Sequence, residues 1–200
     1  EKVREYHEEG RFVTLLAYER DSHPWYTNLV LYYKDDQGEM FRGSKPGRIT
    51  RDELAELLGR DDILTIPHTT SFYPSGCDFN RIPEELMTPL IEVYSRWGTS
   101  EYFGNPEPVR IESEGGFWQD ALNRGALMGC MAGSDDHSST PGLQSGRGCF
   151  NNLRYENPGL TAVLSEHLTR ESIFNALKER RCYGTNGSRI IVDFRINKAV

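Results

Sequence analysis

The stretch Gly133-Ser134-Asp135-Asp136-His137-Ser138-Ser139-Thr140-Pro141-Gly142 sets two carboxylates, an imidazole and a row of hydroxyls between two glycines. The apolar run over 126–132 leads into it and predicts a buried strand. Ser/Thr/Pro/Gly chemistry follows and predicts a loop. Asp135 and His137 therefore stand where a core strand emerges. On extended backbone, alternate side chains point the same way. An Asp-x-His pair can then reach one metal ion or one substrate atom. An Asx-rich turn carrying a surface histidine has the same local spelling, so the rest of the chain decides between the two.

Outward from that stretch, short apolar runs alternate with polar loops and helical patterns. Strands are expected over 12–18, 28–33, 62–66, 90–95, 159–164 and 190–194. A charged N-terminal helix is expected to stop at Gly10. Residues 28–33 and 39–42 flank Asp35-Asp36-Gln37-Gly38 and predict a hairpin. Thr50-Arg51-Asp52-Glu53 spells a capping box that opens a helix ending at Gly59. A helical start is also expected at Pro83-Glu84-Glu85 and a helix over 117–122. Thr169 caps a further helix running to Arg181. Such alternation predicts an α/β protein with parallel strands, in one domain spanning 1–200. Polar residues gather where strands end: Glu19, His68, Glu92 or Ser95, then Asp135 and His137. In α/β folds, chemistry sits at the C-terminal ends of strands.

Net charge is −7 and no Lys/Arg run forms a stripe, which argues against nucleic acid as a partner. No apolar stretch approaches the ~20 residues of a membrane span. A small-molecule substrate is expected instead, with phosphorylated compounds among the candidates; the oligomeric state stays open. Cys77, Cys130, Cys149 and Cys182 are far apart and make no Cys-x-x-Cys pair, so a structural zinc knuckle is not expected. The chain opens at Glu1 and reads as a fragment whose upstream part is absent. The compartment is left open between cytoplasm and export for a soluble protein.

Several stretches together are recognisable: Leu15-Leu16-Ala17-Tyr18-Glu19, Ile66-Pro67-His68, Ile91-Glu92-Val93-Tyr94-Ser95-Arg96-Trp97-Gly98-Thr99-Ser100-Glu101 and Gly133-Ser134-Asp135-Asp136-His137. To these are added residues 159–164, 168–177 and Arg181-Cys182-Tyr183-Gly184-Thr185-Asn186-Gly187-Ser188-Arg189-Ile190. The chain resembles the PHP (polymerase and histidinol phosphatase) metallohydrolase superfamily. It is most similar to that superfamily's large PHP-like family known only as a domain of unknown function. The resemblance implies the later strands of a distorted (β/α)7 barrel, incomplete at the N-terminal side. It also implies two or three divalent ions, zinc, manganese or iron, at the strand ends. Glu19 is similar to the bridging glutamate, His68 to the histidine of the third motif, and Asp135 and His137 to the fourth; Glu92 falls near a further ligand position. The superfamily's upstream His-x-His and Asp-His motifs are absent, since only 18 residues precede Glu19.

The expected chemistry is hydrolysis of a phosphoester by a metal-bound hydroxide, with Asp135 and His137 carrying it. Ester, carbamate or amide cleavage at the same site stays open, as does a degenerate barrel serving as a binding or structural module. The intact parent is expected to be the enzyme and the fragment alone inactive. Arg96, Arg154 and Arg189, whose forks suit phosphate or carboxylate, are candidates for substrate binding with Trp97 and His23. Surface salt bridges are the competing reading of these arginines.

Overall fold

A computed structural model describes residues 1–21, 25–26, 28–41, 49–135, 137 and 157–195. It is a mixed α/β structure whose strands form three hydrogen-bonded sheets. The first sheet holds β1 (Leu16–Asp21), β2 (Asn28–Tyr33) and β3 (Ile63–His68) in that order, antiparallel throughout. Alternate residues of β2 are buried, which sends Leu29, Leu31 and Tyr33 into the core. β3 is buried along its whole length. Its Ile63 joins the core made with Leu29, Leu31, Leu54 and Leu57. Its Leu64 and Ile66 face the other way, toward Leu90, Met131, Phe174 and Leu177. A strand covered on both faces needs an unbroken apolar run, and Ile63-Leu64-Thr65-Ile66 nearly supplies one.

The second sheet is built on β4 (Leu90–Ser95), which packs beside β3. It pairs antiparallel with the short β5 (Gly98–Thr99) and parallel with β6 (Gly129–Ala132). The β4–β6 register slips between Glu92 and Tyr94. The third sheet is the antiparallel pair β7 (Leu160–Val163) and β8 (Cys182–Thr185), lying against β6. Four α-helices accompany them: α1 (Lys2–Glu5), α2 (Arg51–Gly59), α3 (Trp118–Asn123) and α4 (Arg170–Lys178). α2 opens on the expected capping box, with Thr50 accepting from Glu53 N–H and Glu53 accepting from Thr50 N–H. α4 is capped by Thr169 and buries Phe174 and Leu177 against β3 and β4. Among the described residues no helix is long and apolar enough to cross a membrane.

The structure departs from the sequence reading in several places. The first helix ends at Glu5 and not Gly10, and the last at Lys178 and not Arg181. Among the described strands only β4 and β6 pair in parallel; the connection from β1 to β2 is too short for a parallel crossover. Residues 39–41 form no strand, because β1 and β3 already occupy both edges of β2. The first strand begins at Leu16 rather than Phe12. Residues 190–194 belong to no strand among the described residues, whereas Cys182–Thr185, where no strand was expected, form β8. Among the described residues the ladders remain three sheets and close no barrel.

Candidate functional site

Four strands deliver the site. β1 carries Glu19, β3 ends on His68, β4 carries Glu92, and β6 runs out through Gly133 to Asp135 and His137. His68 is 5% exposed and lies between two carboxylates. Its Nδ1 is 2.6 Å from Glu92 Oε1 and its Nε2 is 2.8 Å from Asp135 Oδ2. The second Asp135 oxygen, Oδ1, is 2.7 Å from His137 Nε2. Burial opposes a charge on His68, but the attraction of Glu92 and the hydrogen bonds to Asp135 and Glu92 outweigh it. Its pKa stands well above the ordinary imidazole value, so both ring nitrogens donate. Burial likewise works to raise the Asp135 pKa, and the two histidines overcome it and hold it low.

Local backbone makes the meeting possible. A Cβ on Gly133 would lie 2.5 Å from Glu92 Oε2, so a larger residue there would push that carboxylate aside. Asp135 (φ 44°) and His137 (φ 49°) are in left-handed conformations, and so is Thr69 (φ 49°), next to His68. The two side chains converge through these turns and not through the extended backbone expected from their spacing. Each such non-glycine residue costs of order 1–3 kcal/mol and persists only where its surroundings enforce it; such residues cluster at functional sites.

A cleft of about 210 Å³ opens over this network. Glu19, His68, Asp135 and His137 all line it, together with Trp97. Glu19 is exposed, yet its carboxyl pKa is raised, chiefly by the protein displacing water around it. His68 opposes that rise, and Asp135 and Glu92 reinforce it. Trp97 meets His137 edge-on, with ring centroids 5.6 Å apart at 65°. The Trp97 indole Nε1 is buried and has no hydrogen-bond partner among the described residues.

The remaining substrate candidates lie elsewhere. Arg96 is 2% exposed and does not line the cleft; its backbone N–H donates to Ser134 O at 3.3 Å. Arg189 is exposed and also outside the lining. His23 and Arg154 lie outside the described residues. Among the described residues no Lys or Arg lines the cleft. Asn28, Thr69, Phe72 and Ser75 do line it and went unread in the sequence. Asn28 gets there by register, opposite His68 across the β2–β3 ladder.

The donor set of imidazole nitrogen and carboxylate oxygen suits Zn²⁺, Mn²⁺ or Fe²⁺. Among the described residues, however, no group of three or more His, Cys, Asp or Glu stands disposed to hold an ion. The reason is visible in the pairing: both Asp135 oxygens and both His68 nitrogens already face one another's partners. His68 through Nε2, Asp135 and His137 are the residues that would hold an ion, with the His68 proton leaving first. Glu92 would then hold the other face of His68, the usual arrangement behind a metal-bound histidine.

The model of a family described as a protein of unknown function (DUF3604) matches residues 120–196. The chain is similar to an uncharacterized protein of Chlamydia muridarum (strain MoPn / Nigg), 31% identical over 217 residues covering 98% of this chain and 32% of that protein. It is similarly related, at 30% identity and the same coverage of each chain, to uncharacterized proteins of Chlamydia pneumoniae and of Chlamydia trachomatis serovar D. The chain thus spans about a third of the length of the curated relatives it matches. No solved structure matches it significantly.

Proposed function

We propose that this chain supplies the later part of a PHP-type metal-dependent hydrolase, a distorted (β/α)7 barrel completed by the rest of the polypeptide. The observation that carries the reading is the convergence of His68, Glu92, Asp135 and His137 beneath one cleft, from β3, β4 and the chain just past β6. β1, which bears Glu19, is an edge strand among the described residues, and further barrel strands could pair there. His68, Asp135, His137 and Glu19 would hold the ions, and Glu92 would fix the His68 ring. A divalent ion there lowers the pKa of water and polarises the bond to be cleaved. Trp97 would offer its unused indole N–H to a substrate oxygen and shield one wall from water. His137, the more exposed of the two imidazoles, has its Nε2 2.7 Å from Asp135 Oδ1, and shuttling a proton there would be its alternative to holding metal.

A phosphoester is the first substrate class for this chemistry. A neutral ester, carbamate or amide is the second, favoured by the absence of Lys or Arg among the described residues of the lining. A non-catalytic binding module is the third, favoured by the closed carboxylate–imidazole pairing. One assay separates them: p-nitrophenol release from phosphomonoester, phosphodiester and carboxylester substrates by the full-length protein with Mn²⁺, Zn²⁺ or Fe²⁺. Turnover that falls at least about 10–100-fold in His137→Ala supports the site. Equal turnover by the two proteins removes His137 from the machinery, and no turnover on any bond type favours the binding module.

A further inference from the structure

Residues 190–194, Ile-Ile-Val-Asp-Phe, have the composition of a strand and the surroundings of none. Ile190 is 56% exposed, Ile191 96%, Val192 45% and Phe194 80%. Among the described residues no backbone group of this segment pairs with another backbone group. What shapes it is the Tyr183 hydroxyl, which donates to Ile190 O at 2.7 Å and accepts from Val192 N–H at 3.1 Å. On extended backbone Ile190, Val192 and Phe194 share one face, so that face is wholly apolar. A contiguous apolar strand with unpaired backbone is a template for another strand and a hazard when bare.

Size points to what covers it. The curated relatives match 98% of this chain, and two-thirds of their own length lies outside the match. A cavity of about 330 Å³ also borders the segment, walled by Ile190, Trp118, Tyr102 and Val93, and could receive an apolar side chain from whatever packs there. We propose that residues 190–194 are one strand of a further sheet, paired with an apolar β-strand of the same polypeptide outside residues 1–200. The Tyr183 hydroxyl sets the segment's path from β8 toward that partner.

The test is hydrogen–deuterium exchange on the full-length protein, joined to photo-crosslinking from a benzoylphenylalanine placed at Ile191. Amides of residues 190–194 are expected to exchange at least about 100-fold more slowly than unstructured amides, independently of protein concentration. The cross-link is expected to fall on a residue of the same polypeptide beyond this stretch. Exchange at unstructured rates overturns the proposal. So does protection that grows with concentration, or a cross-link to a second copy, since either makes the partner intermolecular.

Discussion

Gly133 leaves the Glu92 carboxylate its place beside β6. Gly133→Ala would drive a methyl onto Glu92 Oε2, 2.5 Å away, and overpacking of that kind costs about 1–3 kcal/mol. Chemical denaturation should show the loss, and the Glu92–His68 contact should loosen with it. Glu92→Gln tests a different property, because it keeps the shape and removes the charge that helps hold His68 protonated. Metal affinity of the full-length protein should fall about 10–100-fold, the usual cost of losing a histidine's supporting carboxylate, as read by isothermal titration. Glu19, His68, Asp135 and His137 could be picked out of the sequence because each follows an apolar run that ends abruptly on a polar group. All four line one cleft, but Asp135 and His137 reach it on left-handed backbone and not on the extended backbone their spacing suggests. Asn28 and Thr69 left no local signal, because register and a single dihedral angle place them.

At the scale of elements, the signals written within one turn survive best. The Thr50–Glu53 box and the Thr169 cap are both formed as spelled. Thr50→Ala should cost about 1 kcal/mol of stability, measurable as a lowered melting temperature. Phe174→Ala should cost more, about 3–5 kcal/mol, because this 0%-exposed ring joins α4 to β3 and β4. Pairing between strands was poorly legible. Nothing local records that β2 takes β1 and β3 as neighbours, so residues 39–41 carry a strand pattern without an edge to join; Arg42 lies outside the described residues. The β8 strand was hidden by Gly184, which suggests a break but permits close approach: its Cβ would meet the Met131 carbonyl carbon at 2.8 Å. Neighbouring Cys182 gives this region a pH signature. Burial and the nearby Cys130 push its thiol up to about 11. A raised thiol pKa means less thiolate, so at pH 8 only about 0.1% is reactive. Iodoacetamide labelling of Cys182 should be slow there and rise about tenfold per pH unit until about pH 11.

At the scale of the molecule, the cleft belongs to a chain that covers about a third of its relatives' length. The mixed α/β class was readable from the alternation of runs, but whether the sheets close was not, since closure depends on pairing between distant strands; among the described residues they stay open. The same incompleteness bears on the ions: with no three donors disposed around one point among the described residues, residues 1–200 alone should bind divalent metal weakly. The central claim is that His68, Asp135 and His137 are ligands in the full-length protein. Elemental analysis of that protein after metal supplementation, beside its Asp135→Ala variant, tests it most directly. The account predicts at least two ions per wild-type chain and a clear loss in the variant. An equal metal content in both proteins, or none in either, would contradict it.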